Sequence, residues 1–85
     1  MTLSDAVTLV EATLDSAQLR VDRALAREDA SHFLLLVLDT SRGTRPDGAP
    51  IANGPRLVNK ENGEVVRLTV PDAVARAKVM PLAQA

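Results

Sequence analysis

The stretch that decides the fold runs from Ala52 to Leu68 and reads ANGPRLVNKENGEVVRL. It contains two chain-bending devices, Asn53-Gly54-Pro55 and Asn62-Gly63, and an apolar run after each of them. Asn and Gly accept the backbone conformations of tight turns, and Pro is tolerated at the first residue of a strand. The pattern therefore predicts a sharp bend, a strand that Pro55 starts, and a β-hairpin.

The hairpin loop is best read as three residues, Glu61-Asn62-Gly63, with Gly63 in the left-handed bulge position. This register places Lys60 opposite Glu64, a favourable pair, whereas a two-residue loop would oppose Glu61 with Glu64. One face of the hairpin is then predicted to carry Val58, Val66, Leu68 and Val70, and the other face Asn59, Val65, Arg67 and Thr69.

The N-terminal segment has the spacing of an amphipathic helix. Its apolar residues recur every three or four positions, at Leu3, Val7, Val10, Leu14 and Ala17. Thr2 and Asp5 have capping-box spacing, with the acid near the positive end of the helix dipole. A helix over about residues 3–16 is predicted.

The next segment, residues 19–29, has two interpretations. Ala24, Leu25 and Ala26 favour an extension of the helix by intrinsic propensity. In a strand, however, Leu19, Val21 and Leu25 would share one face. Pattern and propensity leave helix and strand both open here.

Phe33-Leu34-Leu35-Leu36-Val37-Leu38 shows no apolar–polar alternation, which indicates a strand over about residues 32–39 that is covered on both faces. Two short helices can cover one face of a small sheet. A second copy of the chain would cover the other, which is a physical argument for a homodimer. Side chains from a folded-over loop are the alternative cover.

A long connection is predicted between Thr40 and Pro55, with a type I turn at Arg45-Pro46-Asp47-Gly48. Connections of this length are often functional. Strands over about residues 56–60 and 64–70 follow it. Pro71 suits the first turn of a closing helix over about residues 71–79, and Pro81 ends that helix.

Length and charge limit the possible functions. The chain has 85 residues, enough for one domain (residues 1–85). Its net charge is −1, whereas a nucleic-acid-binding protein usually carries an excess of basic residues. Residues 1–42 hold seven acidic residues against four arginines, and residues 43–85 hold four against six bases. Neither a signal peptide nor a membrane span is visible, so the expected location is cytoplasmic.

Catalytic templates fit the sequence poorly. There is no Cys, and His32 is the only histidine, which excludes a multi-histidine or thiolate metal site. Ser31 is adjacent to His32, and adjacent side chains of a strand point to opposite faces. We therefore predict no catalytic residue, no metal and no cofactor, and a chain that is not an enzyme.

The order of these segments resembles the YrhB-like, immunity protein 35 family of small bacterial domains. Ala52-Asn53-Gly54-Pro55 matches three of the four positions of that family's Gly-Asn-Gly-Pro hallmark, and Leu57 to Val65 follow in the expected order. Phe33 to Val37 occupy the place of the family's apolar strand, and Ser41-Arg42 resembles the residues after it. The chain departs from the family at Ala52 and in its Ala-rich C-terminal region.

Together the segments predict an α+β fold, with an N-terminal helix, a four-stranded mainly antiparallel sheet and a short C-terminal helix. The resemblance favours a strand over about residues 19–26. It also implies a protein that binds a cognate bacterial toxin and blocks it by occlusion. The expected contact residues are Arg42, Arg45, Asp47, Asn53, Arg56, Asn59 and Arg67, and a rival surface comprises Glu11, Asp15 and Gln18. A chaperone-like or accessory peptide-binding protein of a biosynthetic or secretion cluster is the alternative.

Overall fold

The computed structural model describes residues 1–15, 17–44, 46, 48 and 50–83, with the backbone alone at residues 42 and 50. The fold is α+β, as the sequence predicted. Its elements are α1 (Leu3–Ala12), β1 (Leu19–Glu28), β2 (His32–Thr44), β3 (Pro50–Asn59), β4 (Val65–Arg67) and α2 (Val70–Ala77). The strands form one antiparallel sheet in the order β1-β2-β3-β4. None of the helices in the described ranges is long and apolar enough to cross a membrane.

The predicted capping box begins α1. The Thr2 hydroxyl accepts from the Asp5 N–H over 3.1 Å, and the Asp5 carboxylate accepts from the Thr2 N–H over 2.9 Å. The helix is shorter than predicted, because it ends at Ala12. The Thr13 hydroxyl donates to the Val10 carbonyl over 2.7 Å and so closes the last turn locally.

The segment that had two interpretations is a strand, β1. Its pairing with β2 is interrupted: Asp22 is opposite Leu36 and Arg27 is opposite Leu34, so four residues of β1 stand against Leu35 alone. The interruption contains the residues of high helix propensity, and it leaves Leu25 exposed. The local preference for helix is thus accommodated as an irregularity within the strand.

The predicted long connection is mostly strand. β2 continues to Thr44, and β3 begins at Pro50, opposite it. The connection between them therefore spans residues 45–49. The predicted type I turn at residues 45–48 falls partly outside the described residues, since Arg45 and Asp47 are among those that the structure does not describe.

The hairpin forms, but its predicted register is wrong. The Asn59 N–H donates to the Glu64 carbonyl over 2.9 Å, so residues 60–63 make a four-residue loop. Val58 is opposite Val65 and Leu57 is opposite Val66, which places Val58 and Val65 on one face. Lys60 does not face Glu64, because its ammonium contacts the Glu28 carboxylate at 2.9 Å instead.

The two helices cover opposite faces of the sheet. On the first face, α1 packs its buried residues on alternate positions of β2, namely Phe33, Leu35 and Val37. On the second face, Leu34 and Leu57 pack with Met80 and with Ala77 of α2. The prediction that β2 is covered on both faces is confirmed, whereas the expectation that both helices share one face is wrong.

The C-terminal segment adds to the free edge of β1. The Glu28 N–H donates to the Pro81 carbonyl over 3.0 Å, and the Ala83 N–H donates to the Ala26 carbonyl over 2.7 Å. The Arg27 guanidinium donates to the carbonyls of Ala77 and Met80, at 3.2 and 2.8 Å. These bonds hold the end of α2 against the sheet.

Asp29 organises the turn between β1 and β2. Its Oδ1 accepts from the backbone N–H of Ser31 at 2.8 Å and of His32 at 2.7 Å. These bonds, with that of Ser31 first, hold the pKa of Asp29 below its ordinary value, because hydrogen bonds to a carboxylate favour its charged form. The stability that this carboxylate contributes is therefore fully present above the ordinary pKa of about 3.9, and it is lost as the pH falls through the lowered pKa of the folded state.

Asp29→Asn is expected to lower the free energy of unfolding near neutral pH by about 1 kcal/mol, because a neutral acceptor replaces a charged one. The difference from the parent protein should shrink as the pH falls below the ordinary aspartate pKa. Thermal unfolding followed by circular dichroism over a pH series measures both effects. Asp15→Asn, at an exposed position, is the matched control. A difference that stays constant down to the lowest pH would show that the Asp29 charge does not stabilise this turn.

Candidate partner-binding surface

A bulge in β3 builds the centre of the surface. Val37 is opposite Gly54 and Leu38 is opposite Ala52, so Asn53 has no partner on β2. Gly54 takes a φ of +99°, a backbone conformation that favours glycine. The Asn-Gly-Pro bend predicted from the sequence is therefore real, but it lies within the strand and not before it.

Pro55 follows the bulge in the interior of β3, opposite Leu36. Its carbonyl accepts from the Leu68 N–H over 3.0 Å, on the side of the hairpin partner. The N–H and C=O of one strand residue face the same neighbour, so the missing N–H of Pro55 removes the reciprocal bond to Leu68. The ladder with β4 weakens at this point, and β4 ends at Arg67.

Arg56 lies on the α1 side of the sheet, opposite Leu35, and only 8% of it is exposed. Its Nη1 donates to the carbonyls of Asn53 at 3.2 Å and Gly54 at 2.9 Å, and its Nη2 donates to the Asn53 side-chain oxygen at 3.1 Å. The bulge thus supplies three acceptors for a guanidinium that is removed from water. A buried charge requires such compensation.

Arg67 of β4 is directly opposite Arg56, so the two guanidinium groups share one face. The pKa of Arg56 lies below its ordinary value, first because burial disfavours the charged form and second because of the Arg67 charge. Arg67 also lies close to Gly54: a Cβ added at Gly54 would be 3.0 Å from the Arg67 Nε. The absence of a side chain at Gly54 therefore leaves the space that Arg67 occupies. We name Asn53, Gly54, Arg56 and Arg67 the arginine pair site.

The structure brings together three of the seven predicted contact residues, Asn53, Arg56 and Arg67. Asn59 belongs to the other face of β3, and its side-chain oxygen accepts from the Glu61 N–H over 2.8 Å within the hairpin loop. Asn59 thus shapes the loop. The side chain of Arg42, and the whole of Arg45 and Asp47, lie outside the described residues.

The predicted rival surface is not a single helix face. Glu11 lies on α1, but the helix ends at Ala12, so Asp15 and Gln18 belong to the connection that follows. Gln18 joins the sheet instead, because its carbonyl and its side-chain oxygen both accept from the Thr40 hydroxyl, at 3.0 and 2.9 Å. Asp15 and Gln18 therefore do not extend the acidic face of α1.

Ser31 and His32 lie closer than the sequence predicted. The Ser31 Oγ is 2.7 Å from His32 Nδ1, because Ser31 precedes β2 and its backbone is not that of a strand. In a catalytic triad the carboxylate binds the imidazole nitrogen remote from the serine. Here the Asp29 Oδ1 accepts from the Ser31 hydroxyl over 3.1 Å and from two backbone N–H groups. The geometry is that of a capped turn.

The sequence interpretation missed an apolar groove between α2 and the second face of the sheet. Its volume is about 350 Å³. Leu25, Val70 and Val74 are 54, 67 and 51% exposed beside it, and Leu36 and Pro55 form part of its floor. The signal was present in the spacing of the apolar residues of α2, which recur at Val70, Ala73, Val74 and Ala77.

Comparison with known proteins gives no further guide to this surface. No protein-family model matches the chain, and neither a curated protein nor a solved structure matches it. In the described part of the chain, no group of three or more His, Cys, Asp or Glu side chains is arranged to hold a metal ion.

Proposed function

We propose that this chain is a non-catalytic protein-binding module that neutralises a cognate bacterial toxin by occlusion in the cytoplasm, as the family it resembles implies. The observation that supports the proposal best is the arginine pair site. Two cationic side chains lie opposite each other on adjacent strands, and the more buried one is held by three hydrogen bonds. A surface ordered in this way loses little conformational freedom on binding.

Occlusion requires a rigid surface more than it requires reactive groups. β3 is paired with β2 on one side and, from Arg56 to Val58, with β4 on the other, so Arg56 lies in the interior of the sheet next to the bulge. Charges fixed on such a scaffold raise the rate of encounter with an oppositely charged partner and select against partners of like charge. The protein would act by covering the toxin's working surface.

The proposal is tested by copurifying partners with the tagged protein from the native organism and identifying them by mass spectrometry. We expect one stoichiometric partner that arrests growth when expressed alone and is neutralised by coexpression of this chain. Arg67→Glu should weaken neutralisation at least about tenfold, because it places a negative charge beside the contact. Arg20→Glu makes the same charge change at an exposed β1 position opposite Leu38, on the other face of the sheet, and should leave neutralisation intact.

Two results would contradict the proposal. One is a stoichiometric partner whose expression alone has no effect on growth. The other is a toxic partner that keeps its full activity in the complex, since occlusion would then not occur. Loss of neutralisation by Arg20→Glu and Arg67→Glu alike would show that net charge, and not the arginine pair site, governs binding.

A chaperone-like or accessory peptide-binding protein is the second candidate, and the apolar groove beside α2 favours it. Exposed apolar side chains at Val70 and Val74 would contact an unfolded or extended client without sequence selection. Copurification would then yield many unrelated clients. Val74→Lys, and not Arg67→Glu, would abolish their capture.

A further inference from the structure

The arginine pair is unfavourable for the chain by itself. Like charges directly opposite each other on neighbouring strands are destabilising, and the burial of Arg56 adds a desolvation cost. No carboxylate among the described residues forms an ion pair with either guanidinium. Side chains whose arrangement costs stability, such as opposed like charges or a buried charge without an ion pair, are expected at functional sites.

The geometry leaves hydrogen-bond donors for a ligand. A guanidinium carries five N–H groups, and the three bonds of Arg56 within the bulge use only its Nη atoms. The structure records no hydrogen bond from Arg67 to another described residue. Gly54 keeps the space between the two side chains free of a Cβ. Two cations with unused donors therefore lie side by side, and one of them is fixed in place.

We infer that the arginine pair site binds a carboxylate of an acidic segment in a protein partner; this inference rests on the proposed function. A planar guanidinium binds a carboxylate through two parallel N–H···O bonds, and two adjacent guanidinium groups provide more donors than a single carboxylate needs. The site offers two cations on a chain of net charge −1. Nucleic acid, by contrast, requires a broad basic face. An aspartate or glutamate side chain is therefore the ligand that the surroundings favour over a phosphate chain.

The inference is tested by nuclear magnetic resonance of the arginine Nε–Hε groups during titration with a glutamate homopeptide at constant ionic strength. We expect the signals of Arg56 and Arg67 to shift together and the other arginine signals to stay in place. Arg67→Gln should weaken the apparent affinity at least about tenfold. The affinity of Arg67→Lys should lie between those of Arg67→Gln and the parent protein, because lysine keeps the charge and lacks the planar guanidinium. Arg20→Gln, the matched control, should bind as the parent protein does.

A second measurement separates binding from a structural role. If the pair is retained for a ligand, Arg67→Gln should raise the midpoint of thermal unfolding while it weakens peptide binding, because it removes the opposed charge. A midpoint that falls in Arg67→Gln would show that Arg67 supports the fold and would overturn the inference. Peptide shifts that spread evenly over all arginines would overturn it as well.

Inorganic phosphate is the third arm of the titration. If phosphate shifts the signals of Arg56 and Arg67 at a lower concentration than the peptide does, the preferred ligand is a phosphoryl group and not a carboxylate. That result would contradict the inference. The arms also separate the inference from the proposed function. If the peptide binds at the arginine pair site but no toxic partner is found, the inference about the site stands and the proposed function is contradicted. If a toxin is neutralised but the peptide shifts neither arginine signal, the proposed function stands and the inference about the site is contradicted.

Discussion

Replacing Leu35 with alanine is expected to lower the free energy of unfolding by about 2–5 kcal/mol, because it opens a cavity in a fully buried position. Leu35 has no exposed surface, and it lies on the central strand β2 against the α1 face of the sheet. An 85-residue domain has a total stability of only roughly 4–13 kcal/mol, so one such cavity removes a large share of it. The midpoint of thermal unfolding should fall by at least about 8 °C.

Leu25→Ala is the matched control for Leu35→Ala. It removes the same atoms from a side chain that is 54% exposed at the irregularity in β1. We expect a change within about 0.5 kcal/mol, as for most exposed positions. Chemical denaturation of both variants at several protein concentrations gives the two values. Similar small losses for Leu25 and Leu35 would contradict the placement of Leu35 at the centre of the core.

A large loss at Leu25 would have a different meaning. Leu25 lines the apolar groove beside α2, and a second copy of the chain seated there would bury it. The loss would then depend on protein concentration, because dimerisation adds stability by mass action. Light scattering provides the independent reading, since a mass near 9.0 kDa at high concentration identifies a monomer. A concentration-dependent loss in Leu25→Ala together with a mass above that of the monomer would support the predicted homodimer. A monomer mass with no such loss would contradict it.

The features that the sequence predicted correctly depend on short-range chemistry. The capping box of α1 needs only Thr2 and Asp5, three residues apart. The apolar run of β2 predicts cover on both faces, because a strand without alternation has no polar face. The existence of the hairpin follows from Asn62-Gly63 between two apolar runs. In each case one segment of chain contains all the necessary information.

The errors involve contacts between distant segments. Lys60 was expected to pair with Glu64 across the hairpin, but it contacts Glu28, 32 residues away, and the face of Phe33 at 4.6 Å from the ring centroid. These contacts favour the four-residue loop over the three-residue loop. The cover of the second face by α2 and Met80 likewise depends on how the chain closes on itself. Local pattern carries no information about such choices.

The candidate site was predictable in its parts and not in its arrangement. Arg56 and Arg67 are visible in the sequence as cations on the two hairpin strands. Their opposition follows only from the observed register, and the burial of Arg56 follows only from the bulge at Asn53. In the sequence, backbone requirements explain the Asn-Gly-Pro bend, and Asn53 is also among the expected contact residues. In the structure the same bend supplies the acceptors that hold Arg56.

Gly54→Ala is expected to lower the free energy of unfolding by about 1–3 kcal/mol, because a residue with a Cβ is strained at a φ of +99°. It should also move Arg67. The added Cβ would be 3.0 Å from the Arg67 Nε, which is tighter than ordinary contact, and 3.4 Å from the Arg67 Nη2 and the Arg56 Nη1. Since Arg67 is exposed and the close contact involves the far end of its side chain, its guanidinium can move away at small cost to stability. The Arg67 Nε–Hε signal should shift, and neutralisation of the partner should weaken at least about tenfold.

Gly43→Ala separates backbone strain from the displacement of Arg67. Gly43 has a φ of +86°, close to that of Gly54, but an added Cβ there would have no atom of the described residues within 4 Å. Both variants should therefore lose a similar amount of stability, and only Gly54→Ala should alter the Arg67 signal and the neutralisation of the partner. An unchanged Arg67 signal in Gly54→Ala would mean that this side chain does not lie beside Gly54 in solution. The arginine pair site would then lose its geometric basis, whatever the change in stability.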